Sequence, residues 1–72
     1  MTKKADFNSC TIPKWVNWIA QDANGKWWGY EIEPLRHDSG WYENELGRYI
    51  LVKSALPSAS WQHNLIKINE YL

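Results

Sequence analysis

The chain has 72 residues, with eight basic and eight acidic side chains and no formal net charge. A chain of this length forms one domain and has little interior for an enclosed catalytic pocket. Zero net charge removes the simplest electrostatic argument for binding a phosphate backbone. Aromatic residues make up 15% of the chain and include six Trp, so large side chains have to supply the area that is buried on folding.

The beginning of the chain predicts an N-terminal arm over residues 1–11 and a folded domain over residues 12–72. The arm is polar, with Phe7 as its only large apolar side chain. It lacks the apolar stretch of a cleavable signal peptide, and the longest apolar run, residues 49–52, is too short to span a bilayer. A single cysteine, Cys10, fits a reducing compartment. We therefore expect a cytoplasmic protein with no membrane association.

Residues 15–33 predict a β-hairpin around a recognisable turn. Asp22 stands three positions before Gly25, an arrangement typical of a type I turn followed by a residue in the left-handed conformation. Asp also caps the amides of such a turn with its carboxylate. The loop therefore covers residues 23–25.

This loop predicts a register in which Trp18 lies opposite Tyr30. In that register apolar residues lie opposite apolar residues and polar residues mostly opposite polar ones. A two-residue turn would shift the pairing by one and set Trp18 against Glu31. A helix that begins at Pro13 is the other alternative, and it ranks second because Trp, Val and Ile favour strands.

The register divides the hairpin into two faces, because successive side chains of a strand point to opposite sides. We predict that the almost wholly apolar face is the core: Val16, Trp18, Ala20, Trp28, Tyr30 and Ile32. The opposite face is mixed and is predicted to be partly exposed: Trp15, Asn17, Ile19, Gln21, Trp27, Gly29, Glu31 and Glu33.

A second hairpin is predicted after a connection over residues 34–40. Asn44 precedes Gly47 by three positions, as in the first turn, between the strand-like segments 41–43 and 48–53. The resulting register pairs Tyr42 with Ile50. Which face of this hairpin is buried stays open.

The C-terminal segment predicts a short amphipathic helix, because Trp61, Leu65 and Ile68 follow one another at i, i+4 and i+7. A strand over residues 64–68 is the alternative. The predicted fold class is α+β: a small antiparallel meander of three to four strands, built from two hairpins, with a short C-terminal helix packed on it.

Several aromatic and turn residues form a series of landmarks along the chain: Ile12 to Trp15, Trp18 to Asp22, Gly25, Glu33-Pro34, Gly47 to Ile50, Trp61, and Leu65 to Ile68. In these landmarks the chain resembles small uncharacterised Trp-rich proteins encoded by bacteriophages and prophages. The resemblance covers most of the chain after residue 11 and rests on the spacing of aromatic and turn residues. It implies an accessory protein that inhibits or modulates a host or defence protein, and it implies no catalytic residues.

No arrangement of residues in the sequence predicts an enzyme, a cofactor or a metal site. A calcium loop that begins at Asp22 would have Glu33 at its twelfth position, but its sixth is Trp27 where Gly is required. The side chains best suited to metal or nucleophilic chemistry are scattered without short spacings: Cys10, His37, Asp38 and His63.

The remaining functional prediction is a protein-binding surface. Trp is the residue most enriched at binding hot spots, and Trp15, Trp27 and Trp41 are predicted to be exposed beside an acidic rim of Glu31 and Glu33. The expected partner is a bacterial host protein, and open sheet edges also allow a homodimer. The competing interpretation is a second small apolar cluster that the arm, the helix or a twin subunit shields.

Two other functions stay open at this point. A single-stranded nucleic-acid binder would stack bases on the same Trp rings, although Glu31 and Glu33 stand where basic residues are wanted. A carbohydrate-binding module would use the same planar rings without needing charge.

Overall fold

The structure is a computed structural model that describes residues 12–43 and 46–68. The strands and the single 3₁₀ turn within the described ranges are β1 (Trp18–Gln21), β2 (Lys26–Tyr30), β3 (Leu35–Arg36), β4 (Trp41–Tyr42), β5 (Tyr49–Ser54), the 3₁₀ turn (Trp61–His63) and β6 (Leu65–Lys67). Four strands form an antiparallel sheet in the order β5-β2-β1-β6, and β3 and β4 form a separate two-stranded sheet.

The first hairpin is confirmed, including its register. Trp18 lies opposite Tyr30, and the pairing continues to Gln21 opposite Trp27. The amide of Gly25 donates to the Asp22 carbonyl at 2.9 Å, and Gly25 has a φ of +94°. Glycine adopts this left-handed conformation without a steric penalty, so the turn forms where the sequence predicts it.

The predicted division of the hairpin into a buried face and a mixed outer face is only partly right. Val16, Ala20 and Tyr30 are buried as predicted, but residues of the other face are buried as well. The central apolar cluster lies on the face that was assigned to the outside, where Ile19 is fully buried and Trp27 is 7% exposed. Val16 joins this cluster although alternation places it on the other face. Residues that pack around the cluster come from both ends of the domain and from β5: Ile12, Trp15, Val52, Ile66 and Ile68.

The alternation fails because the backbone leaves the strand conformation before Trp18. The amide of Val16 donates to the Pro13 carbonyl at 3.1 Å, which forms a turn just ahead of β1. Val16 consequently packs over Gly29, where a Cβ would lie only 2.9 Å from its Cγ1. The absence of a side chain at Gly29 therefore gives Val16 its place in the core.

The opposite face of the sheet is also covered. Ala20 and Tyr30 are buried on it, whereas Trp18 and Trp28 are half-buried and Ile32 is exposed. The small β3–β4 hairpin approaches this face, since the Tyr30 hydroxyl donates to the Trp41 carbonyl at 3.3 Å. The sheet therefore buries residues on both sides.

The predicted second hairpin is wrong. β4 pairs with β3, with Leu35 opposite Tyr42, while β5 pairs with β2. The amide of His37 donates to the Gly40 carbonyl at 2.7 Å, so the segment expected to be a connection closes a tight turn of its own. β5 has six residues, whereas β4 has only two. β5 therefore forms a longer ladder with β2 than it could form with β4. Asn44 lies outside the described residues.

The helix predicted from Trp61 to Ile68 is wrong over these residues. A 3₁₀ turn buries Trp61, and β6 then pairs with β1, with Ile66 opposite Ile19. The strand places Ile66 against the core and Leu65 beside Ala20 on the opposite face, whereas a helical stripe would cover one face only. The strand alternative for this segment is the one that the structure contains.

Some predictions fall outside the described residues, among them the arm over residues 1–11 with Phe7 and Cys10. Within the described ranges, no helix has the length and apolar character needed to cross a bilayer.

Candidate functional site

The two Trp residues predicted on the mixed face do not form an exposed platform. Trp27 belongs to the core, with 7% of its surface exposed, so a partner would have to unfold the domain to reach it. Trp15 is half-buried and packs against the same cluster. The structure therefore agrees with the interpretation that these rings form an apolar cluster of the domain.

Arg48 connects Trp15 to the predicted acidic rim. The guanidinium carbon lies 4.6 Å from the centroid of the Trp15 ring, within the range of a cation–π interaction. The same group reaches Glu31 with two contacts of 3.2 Å, from Nε to Oε1 and from Nη2 to Oε2. Glu33 is exposed. Of the two residues of the predicted acidic rim, Glu31 is thus paired with Arg48 of the same domain.

We expect Glu31→Gln to remove a small, pH-dependent part of the free energy of unfolding. Hydrogen bonds from the Arg48 side chain and backbone lower the pKa of the Glu31 carboxyl. A lowered pKa in the folded state stabilises the protein above the pKa of the unfolded chain, and this contribution disappears as the pH falls through the folded-state pKa.

Urea unfolding of wild type and Glu31→Gln at pH 7 and pH 3 measures this contribution. The difference in stability between the two proteins at pH 7 should become smaller at pH 3. Glu33→Gln serves as the control because Glu33 is exposed. A difference between wild type and Glu31→Gln that is as large at pH 3 as at pH 7 would contradict the ion pair as its source.

Trp41 lies on the other side of the sheet, where Asp22 positions it. Its amide donates to Asp22 Oδ1 at 2.8 Å, and its carbonyl accepts the Tyr30 hydroxyl. Burial raises the pKa of Tyr30, and the negative charges of Asp22 and Glu43 raise it further. Two carboxylates therefore act on the region where the β3–β4 hairpin meets the sheet.

A groove of about 530 Å³ lies between the β1–β2 turn and the β3–β4 hairpin. This volume is within the range of small-molecule sites in proteins. A carboxylate, an amide, an imidazole, a hydroxyl and two larger aromatic rings line it, and none of the lining residues is Lys or Arg: Asp22, Asn24, His37, Ser39, Gly40, Trp41 and Tyr42. Within the described part of the chain, Trp41 Nε1 is buried without a hydrogen-bond acceptor.

Trp41, a predicted binding residue, lines this groove, but the residues that accompany it there were not predicted from the sequence. Asp22 was explained by the turn, and His37 was assigned to a connection. The one available signal was Gly40, where a Cβ would lie 2.7 Å from Asp22 Oδ1. A glycine that follows a polar connection predicts a turn, but it does not indicate which distant residue lies against it.

A second surface is formed by the outer edge of β5. Its first three side chains are apolar and exposed: Tyr49 at 52%, Ile50 at 37% and Leu51 at 44%. In the described ranges no strand lies beyond β5. The Arg48 carbonyl accepts from the Glu31 amide, so the alternation of an antiparallel ladder directs the backbone groups of Tyr49 and Leu51 outward.

The fold defines this chain as a small single-domain protein built mainly of antiparallel β-sheet. Comparisons with protein-family models, with curated proteins and with solved structures find no match. No group of three His, Cys, Asp or Glu side chains within residues 12–43 and 46–68 is close enough to hold a metal ion. The groove and the β5 edge are therefore the candidate functional surfaces of the described residues.

Proposed function

We propose that the protein is a protein-binding module whose recognition surface is the outer edge of β5. The observation that carries this proposal is the apolar, exposed edge formed by Tyr49, Ile50 and Leu51. Natural sheets usually protect such an edge with charges, proline or covering segments, because it presents unpaired backbone groups to other chains. Lys53 is the single charged residue within β5.

The binding mode is addition of an extended segment of the partner to β5. Main-chain hydrogen bonds to Tyr49 and Leu51 would supply affinity, and contacts with alternate side chains would supply selectivity. Tyr49 and Leu51 lie beside Trp28 on the same face of the sheet, and the rings of Trp28 and Tyr49 are 5.9 Å apart between centroids. Apolar side chains of a partner strand would meet this aromatic row.

The resemblance to small phage and prophage proteins supports a more specific role. In this role the protein is an accessory factor that acts in the bacterial cytoplasm and inhibits or modulates a host or defence protein. The surface proposed from the sequence, with Trp15 and Trp27 as its centre, is replaced by the β5 edge because Trp27 is buried.

Leu51→Lys is expected to weaken partner binding at least about tenfold, because a Lys in the middle of an edge opposes strand addition. Immobilised wild type and variant would be exposed to bacterial lysate. The dissociation constant of each captured protein, once purified, would then be measured against both forms.

Leu56→Lys is the matched control, since it makes the same exchange at a residue that is 86% exposed and outside the strands. Size-exclusion chromatography of the isolated protein tests self-association through the same edge. Equal affinity of wild type and Leu51→Lys for every captured protein would refute the proposal.

A further inference from the structure

We propose that the groove between the β1–β2 turn and the β3–β4 hairpin binds an organic cation, in the form of an ammonium or guanidinium group. This site goes beyond the protein-binding surface proposed above. None of the residues that line the groove belongs to β5.

The charge of the groove selects against anions. Asp22 contributes a carboxylate to the lining, and Glu43 lies near enough for its charge to act, with that of Asp22, on the buried Tyr30 hydroxyl. Arg36 adjoins His37 in the sequence, and the Lys26 amide donates to Asn24 Oδ1 at 3.0 Å, but both side chains are exposed and neither residue lines the groove. A bound cation would therefore meet negative charge that no lining residue neutralises.

The aromatic lining suits the same ligand. Ammonium and guanidinium groups bind over the faces of Trp and Tyr rings, which carry partial negative charge. The ring of Tyr42 meets His37 edge to face, with the centroids 5.7 Å apart and the planes at 83°. This contact holds Tyr42 in place although its side chain is exposed.

The groove is also organised before any ligand binds. The Trp41 amide holds Asp22 Oδ1 at 2.8 Å, and the Ala23 amide donates to the Ser39 carbonyl at 3.1 Å, so the two walls are joined by hydrogen bonds. An ionised carboxylate accepts about four hydrogen bonds, and Asp22 retains capacity for a donor from the ligand. Little conformational entropy would be lost when a cation enters.

Capped arginine, N-acetyl-arginine amide, is the first probe of this site. We expect it to shift the Trp41 indole N–H resonance and the Gly40 amide resonance saturably in the ¹H–¹⁵N NMR spectrum of wild type, with a millimolar dissociation constant typical of a small fragment. Capped citrulline has nearly the same shape without the charge and should bind at least about tenfold more weakly. Spermidine is the second probe. Comparison of its dissociation constant with that of capped arginine shows whether the groove prefers a free polyamine or an arginine side chain.

Asp22→Asn keeps an oxygen for the Trp41 amide and removes the charge, so it should weaken binding of capped arginine about tenfold. Glu33→Gln changes the net charge equally at an exposed site that does not line the groove, and it should bind like wild type. Tyr42→Leu leaves the turn intact and removes a π face, so it provides an independent weakening even if Asp22→Asn does not fold.

Two results would overturn the proposal. One is equal binding of capped arginine and capped citrulline to wild type. The other is the absence of saturable shifts with capped arginine and with spermidine. Methyl glucoside is tested beside them, and saturable shifts with methyl glucoside alone would make the groove a carbohydrate site instead. Leu51→Lys should bind capped arginine like wild type, so failure of the β5 proposal and failure of this one can be told apart.

Discussion

Trp27→Ala is expected to remove a large part of the free energy that stabilises the fold. Trp27 packs with Val16 and Ile19 in the central cluster, and truncation of a buried aromatic side chain costs about 3 to 5 kcal/mol. A domain of this length has a total stability of roughly 4 to 11 kcal/mol, so the loss is a large part of it. Urea unfolding followed by far-ultraviolet circular dichroism measures the change.

Trp28→Ala is the matched control for this experiment. It makes the same exchange one position away, on the opposite face, where Trp28 is only half-buried. We expect a clearly smaller loss of stability. Equal losses in the two variants would contradict the placement of the core. A loss of partner binding in Trp27→Ala would reflect the weakened core, because Trp27 is buried.

Gly25→Ala is expected to destabilise the protein by roughly 3 kcal/mol or more, from two separate causes. The φ of Gly25 is +94°, a conformation that strains a residue with a Cβ. An added Cβ would also lie 2.7 Å from the carbonyl carbon of Leu56 and closer still to the Ala55 carbonyl oxygen. These are backbone atoms, which cannot rotate away.

The consequence should extend beyond the turn itself. The Gly25 carbonyl accepts the Ala55 amide at 3.1 Å and the Gln21 side-chain amide at 3.2 Å. A displaced turn would therefore disturb the segment that follows β5 and leave the buried Gln21 without one of its partners. Thermal unfolding followed by Trp fluorescence measures the loss.

Gly47→Ala is the comparison for Gly25→Ala. Gly47 lacks a positive φ, and its added Cβ would lie 2.7 Å from Cγ1 of the exposed Ile32 side chain and 3.1 Å from the Ile32 backbone nitrogen. We expect a smaller effect than at Gly25. Equal stability of Gly25→Ala and Gly47→Ala would contradict both causes given for the loss at Gly25.

The β1–β2 hairpin was predictable because its determinants are local. Asp22 and Gly25 lie in the same turn, and the turn geometry sets the register from Trp18 opposite Tyr30 onward. Such short-range chemistry can be read without knowledge of the rest of the fold. The strand character of β5 was visible in the same way, from a run of β-branched and aromatic residues.

The inner face of the hairpin was not predictable, because both faces carry large apolar side chains. The choice depends on which distant residues pack there, and Val52 and Ile66 cover the face that holds Ile19 and Trp27. The pairing of β5 with β2 is decided in the same way, since β2 offers a free edge of sufficient length. A spacing of i, i+4 and i+7 at the C-terminus was compatible with a helix, but the open edge of β1 favoured a strand.

The sequence alone therefore determined a Trp-rich antiparallel sheet, the position of its first turn and the register of the strands on either side. Tertiary structure decided which Trp rings are buried, which strands pair over long distances, and that Asp22 and Trp41 meet across a groove. The physical reason is the separation along the chain of the residues that interact. Turn conformation depends on a few neighbouring residues, whereas burial and strand pairing depend on contacts between segments far apart in the chain.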